Sequence, residues 1–221
     1  MSEQREISYT QEILRKGIHL VSLAIPLIYI HVDRITAIWV LVPMTLVFFL
    51  TDVLSHRSGF VRDIVLKYFG SMMREHERRS DKLLLNGATY VLFSACLCVI
   101  LLPKVIAVTA FTILIISDIS AALIGRKFGK HKFLDKSLEG TLAFIVSSFV
   151  VVYCIGRYCN APVSFYISGC IAGVVGGIVE NISIRLHMDD NFSIPASIGI
   201  VMVVLAWTVF TQQPSYLTLL M

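Results

Sequence analysis

The chain has 221 residues, of which 56% are apolar and 15% charged, and its net charge is +4. A mean hydropathy of +0.78 excludes a water-soluble globule, and so small a positive surplus excludes a nucleic-acid footprint. Five cysteines, Cys96, Cys98, Cys154, Cys159 and Cys170, are scattered mostly through apolar runs with neither disulfide nor zinc spacing.

Charged residues occupy the N-terminus up to Lys16, and Arg15, Lys16 and His19 stand at i, i+1 and i+4 where the first apolar run begins. Arg15 and His19 share a helical face, and Lys16 can snorkel. Topological anchoring accounts for the two cations, but a histidine inside a span is harder to account for. No small-residue cleavage pattern follows, so the first span is expected to stay in the mature protein.

Apolar windows fall at roughly 17–32, 35–54, 83–102, 105–124, 141–158, 163–184 and 194–212. They predict an all-α polytopic membrane bundle of about seven helices, as one integral membrane domain over 1–221, with the first and fifth spans short enough to be partly re-entrant. Between the second and third windows, the segment from Arg57 to Arg79 carries too many charges to span. Its Val61, Val65, Tyr68 and Met72 recur at helical spacing, which fits either an amphipathic helix on the cytoplasmic face or a plain connecting helix. Lys and Arg in the successive non-membrane segments number three, one, seven, one, five, one, one and none. The positive-inside rule therefore places the N-terminus in the cytoplasm and the C-terminus outside.

Asn86, Thr89 and Tyr90 form a polar patch at the start of the third window. Asn86 and Tyr90, together with His19, are candidates to meet a lipid substrate, although the patch would equally serve to link helices. The fourth window ends in ISDISAALIGRKFGKHK. With the interface near Arg126, Asp118 lies roughly 12 Å deep at 1.5 Å per residue. An ionised carboxylate there costs about 3 kcal/mol and calls for a partner or a cation. Asp118, Ala121 or Ala122, and Gly125 share one face, whose small residues leave room beside the carboxylate.

The loop that follows holds Arg126, Lys127, Gly129, Lys130, His131 and Lys132. Glycines let backbone amides approach phosphate oxygens while Arg and Lys neutralise their charge, so Gly125, Arg126, Gly129, Lys130 and Lys132 are candidate nucleotide ligands, with Arg15 and Lys16 beside them. An ordinary positive-inside loop has the same composition. KSLEGT follows at once, and in it Ser137, Glu139 and Thr141 suit a helix cap whose N-terminus points at an anion. Capping alone explains Ser137 as well as ligand binding does.

In the sixth window Gly169, Gly173 and Gly177, with Gly176 beside them, form a stripe best read as packing. Glu180 lies about 7 Å inside the far end of that window. Asp189, Asp190 and Asn191 then precede the seventh window in HMDDNFSIP, and with Asp118 and Glu180 they make an oxygen-rich candidate magnesium set. The plain alternative for this turn is a solvated helix cap. Carboxylates for a metal, a basic loop for phosphates and an enclosed intramembrane face together point to phosphoryl or nucleotidyl transfer to a lipid, chemistry that asks mainly for positioning and charge neutralisation. No Walker A or kinase glycine-rich loop is present.

On RKGIH, SDISAALIGRKFGKHK, KSLEGT and DDNFSIP the chain resembles the CTP-dependent polyisoprenoid and lipid kinases, the family of dolichol kinase, phytol kinase and the yeast-type diacylglycerol kinase. The likeness runs over most of the chain and departs at Ser117, where that family usually has glycine. It implies that Asp118 is the essential acid, that Arg126 and Lys136 are phosphate ligands and that the last acidic block belongs to the metal site. It also implies Mg2+ as cofactor, CTP as co-substrate and a lipid alcohol as acceptor.

The activity expected is therefore transfer of the γ-phosphate of CTP or another nucleotide to a polyprenol, phytol or diacylglycerol hydroxyl. Asp118, Lys136 and Glu139 are the catalytic candidates, at the cytoplasmic face of a bacterial or archaeal plasma membrane, or of the endoplasmic reticulum in a eukaryote. Membrane lipids are the expected surroundings, nucleic acid is not an expected partner, and homo-oligomerisation stays open. The rival readings are a phosphatidate cytidylyltransferase, whose C-terminal signature of interleaved aspartates and lysines is missing, and a small transporter relaying protons through Asp118 and Glu180.

Overall fold

The computed structural model describes residues 16–17, 19–57, 59, 87–186, 188–211 and 215–220. The amphipathic helix expected between Arg57 and Arg79, and the candidate residues Arg15 and Asn86, lie outside the described residues.

Among the described residues, seven apolar helical segments follow one another. Helix α1 is Ala24–His31, α2 Arg34–Arg57, α3 Gly87–Leu101, α4 Lys104–Phe128, α5 Leu138–Tyr158, α6 Val163–Leu186 and α7 Asp190–Thr208. Five of them are long and apolar enough to cross a membrane, while His19–His31 and Gly87–Leu101 are shorter. The protein is an all-α polytopic membrane bundle. The fifth window, expected to be short, extends as one helix of 21 residues, because Ser137 caps it four residues before the apolar run begins. The seventh begins at Asp190, capped by Asp189, so its polar first turn escapes a reading by hydropathy.

Ahead of α1, Lys16, Gly17 and His19–Val21 are helical, and the helix tightens at Ser22 and Leu23, whose N–H groups donate to His19 O and Leu20 O at 3.0 Å. Pro26 explains the turn: its ring cannot tolerate a regular helical carbonyl at Ser22.

Helix α4 is the axle of the bundle. Every residue from Val105 to Ile115 is buried, the signature of a helix surrounded by others rather than by lipid. It packs most extensively against α5, and also against α7 and α1. Helix α2 lies at the margin, with Ile35, Trp39, Val47 and Leu50 exposed to the hydrocarbon. The glycine stripe on α6 faces α5: a Cβ on Gly169 would meet Val152 at 2.7 Å, on Gly173 it would meet Ser148 at 2.2 Å, and on Gly177 Ile145 at 3.0 Å.

At one end of the bundle Arg34 donates to Leu102 O, and Tyr216, in a short 3-10 turn Tyr216–Thr218, buries its ring and donates to Met202 O at 2.6 Å. At the opposite end a two-stranded hairpin, β1 Lys132–Phe133 and β2 Lys136–Ser137, links α4 to α5. Its two-residue turn is Leu134 and Asp135, with Leu134 at φ 50°.

Candidate functional site

The acid predicted to need a partner has one. Asp118, 6% exposed in the lower half of α4, accepts a hydrogen bond from the Lys16 ammonium, itself 4% exposed on the first helical segment. His19, one turn on, brings Nε2 to 3.8 Å from the same carboxylate oxygen. A covered lysine and a covered aspartate inside an apolar bundle are tolerable only as a pair, so the two docked charges fix the first helix against α4.

Glu180 of α6 and Asp190 of α7 join them. One oxygen from each of Asp118, Glu180 and Asp190 lies within 4.8 Å of the others. Glu180 is buried and Asp190 half-buried. Lys136, entering from β2, donates to Glu180 Oε1 at 2.5 Å and lies 3.5 Å from Asp190 Oδ2. Burial by itself would lower the Lys136 ammonium, but the carboxylates of Asp190 and Glu180 outweigh it and hold the group above the ordinary lysine value. Three carboxylates thus face two ammonium groups in a low-dielectric setting, an arrangement that attracts a further cation. All three are hard carboxylate oxygen donors within 4.8 Å of one another, the donor type that a divalent cation such as magnesium takes.

The remaining candidates divide. Asp189 accepts from the N–H of Asn191 at 3.0 Å and from its side-chain amide at 2.7 Å, so these two turn toward each other as the cap of α7. Of the adjacent aspartates it is Asp190 that stands in the group of three carboxylates. Glu139 accepts from the His131 N–H at 3.2 Å and pairs with His131 Nδ1 at 2.8 Å, which ties the loop back onto the first turn of α5. Ser137 caps α5, accepting from Gly140 N–H at 3.2 Å. Gly125 and Gly129 are packed against Ser137: a Cβ on Gly129 would fall 2.2 Å from Gly125 O and 2.8 Å from Ser137 Cβ. Close approach of the loop to α5 accounts for these glycines.

Arg126 and Lys127 in the last turn of α4, and Lys130 and Lys132 beyond it, are exposed, with the Lys127 ammonium 5.3 Å from the Phe128 ring centroid. Tyr90 is half-buried on the first turn of α3, next to Thr89.

Two residues escaped the sequence reading. Asp52, 4% exposed on α2, accepts from Thr89 Oγ1 at 2.7 Å and ties α2 to α3. It is an acid within an apolar window, the same signal that marked Asp118. Asn181, fully buried beside Glu180, accepts from the N–H of Asp135 at 2.9 Å and of Lys136 at 3.2 Å, and donates to Thr141 Oγ1 at 2.7 Å. A buried amide in a span was a flag as well.

The chain is 32% identical over 185 residues to an uncharacterised protein of Rickettsia prowazekii, a match covering 83% of this chain and 89% of that protein. It is 26% identical over 211 residues to CTP-dependent diacylglycerol kinase 1 of Saccharomyces cerevisiae, covering 83% of this chain and 70% of that kinase. Dolichol kinase of the same yeast is 34% identical over 86 residues, which is 37% of this chain but 16% of that kinase. No protein-family model and no solved structure matches. The chain is thus a distant relative of lipid kinases.

Proposed function

We propose that this chain, which belongs to one family with the uncharacterised protein of Rickettsia prowazekii, is a membrane-embedded kinase that phosphorylates a lipid alcohol with CTP. The reading rests above all on one observation, the convergence of Asp118, Glu180 and Asp190 from three helices with Lys16 and Lys136 set against them. Its support from relatives is the similarity to yeast kinases named for dolichol and for CTP-dependent diacylglycerol phosphorylation.

The three carboxylates would hold magnesium, which when bound supplies charge neutralisation at the phosphate oxygens. Lys136 and the exposed Arg126, Lys130 and Lys132 bind the triphosphate by charge-assisted hydrogen bonds. The lipid hydroxyl reaches the γ-phosphorus from within the bilayer, with His19 and Tyr90 as its candidate contacts. The new bond joins the lipid oxygen to that phosphorus, the bond to the β-phosphate oxygen breaks, and CDP leaves. The hydroxyl proton passes to Asp118 or to solvent. The site-bearing end faces the cytoplasm in this reading, because Lys16, Arg126, Lys127, Lys130, Lys132, Lys136 and Arg185 lie there, against Arg34, Lys104 and Arg157 at the other end.

Purified protein is incubated with each of four γ-labelled nucleotides, magnesium and a panel of prenols and diacylglycerols, and in a parallel arm with phosphatidate. Labelled lipid is expected, most with CTP, and less of it from Asp118→Asn. Label leaving as pyrophosphate would convert the reading to cytidylyl transfer. Undiminished labelling by Asp118→Asn would remove Asp118 from the chemistry.

A further inference from the structure

The hairpin that carries Lys136 is not held by its own sequence. Its strands are two residues each, too short for a ladder to be stable alone, and its turn places Leu134 at φ 50°, a left-handed conformation that disfavours any residue with a Cβ. Something outside the hairpin has to impose it. Besides the Lys136 to Glu180 bond itself, three polar contacts among the described residues reach the turn and β2 from α6, and two of them are backbone hydrogen bonds to a single atom, Oδ1 of Asn181. The third is the exposed Arg185 to Asp135 pair, Nε to Oδ1 at 2.8 Å, which solvent weakens.

Asn181 is itself constrained. Its amide group donates to Thr141 Oγ1 at 2.7 Å, so the side chain cannot rotate without losing all three bonds. Thr141 lies one turn into α5, and its hydroxyl in turn donates to Ser137 O at 3.2 Å. The carboxamide therefore joins α6, α5 and the hairpin at one buried point, one residue from Glu180.

We infer that Asn181 is a positioning residue, whose carboxamide fixes the backbone of Asp135 and Lys136 so that the Lys136 ammonium is delivered to Glu180 and Asp190. The kinetic consequence rests on the kinase reading, whereas the geometric one does not. Lys136 sits on a flexible four-carbon stem, so the position of its ammonium is only as well defined as the backbone it springs from. Without the clamp, Leu134 is free to relax toward negative φ and the ammonium loses its fixed approach.

The test compares Asn181→Leu with Asn181→Asp in the full chain in detergent micelles. Leucine fills nearly the same volume and keeps the packing but removes every hydrogen bond. Aspartate keeps both acceptor contacts, and the Thr141 hydroxyl can turn its hydrogen toward the new oxygen. Amide hydrogen exchange at Asp135 and Lys136 is expected to quicken at least about tenfold in Asn181→Leu, and to stay within about threefold of wild type in Asn181→Asp.

In the lipid-labelling assay with magnesium and CTP, Asn181→Leu is expected to raise KM for the nucleotide about tenfold with a smaller change in kcat. Unchanged exchange at Lys136 in a folded Asn181→Leu overturns the inference, as does equal exchange in the two variants. If the leucine variant fails to fold, Asn181→Ser, too short to reach the turn, replaces it in the same comparison. Should wild type label no lipid, the kinase reading falls while the exchange result still decides the role of Asn181.

Discussion

Replacing Lys16 by methionine removes the ammonium that Asp118 holds and leaves a carboxylate, 6% exposed, within an apolar helix. Orphaning one member of a buried ion pair costs about 3–5 kcal/mol, whereas removing both charges together is often close to neutral. His19 at 3.8 Å and Lys136, bound to the neighbouring Glu180, stay behind and offset part of the loss. The expectation for Lys16→Met is therefore at or somewhat below the low end of that range, about 2–4 kcal/mol. Asp118→Asn added to Lys16→Met should recover at least half of it, since the residual charge is gone.

A denaturing-detergent titration of the four proteins of the cycle, at fixed micelle composition, measures the coupling. The sign is diagnostic, because independent losses would add and a true pair must show recovery in the double variant. A Lys16→Met protein within about 0.5 kcal/mol of wild type, the range of ordinary surface changes, would refute the claim that this pair docks the first helix.

Lys136 has a folded-state value above 10.5, its ordinary one, so its contribution to stability is complete below that pH and fades as pH rises through the folded value. The stability difference between wild type and Lys136→Met should thus stay level from about pH 7 to 10 and shrink only above, and a difference shrinking between about pH 7 and 9 contradicts it. Gly129→Ala would set a methyl 2.2 Å from Gly125 O, and backbone there cannot yield cheaply. A loss of about 2 kcal/mol by thermal unfolding, with loss of lipid labelling, is expected. Tyr216→Phe deletes a buried bond to Met202 O of 2.6 Å and should cost about 1 kcal/mol in the same measurement, with labelling unaffected because the ring lies at the far end from Asp118.

Much of the architecture was readable from the chain alone. Apolar runs long enough for hydrocarbon can only be helices there, since every backbone polar group must be satisfied within the segment. Asp118 announced its need for a cation by depth, and the glycine stripe of α6 announced a close neighbour. Local signals of this kind depend on a few adjacent residues, so they survive without knowledge of the fold.

What tertiary structure decided is which distant groups meet. Lys16 and Asp118 are 102 positions apart, and only the rotation of two helices about their axes turns an anchoring lysine into the partner of a buried acid. Helix rotation likewise turns Asp190 toward Asp118 and Glu180, and it separates Asn181 from Glu180 by about 100° so that one grips a hairpin and the other faces Lys136. Hydropathy and composition carry no information about helix rotation. Packing sets that angle, and with it the meeting of carboxylates and ammonium groups at one end of the bundle.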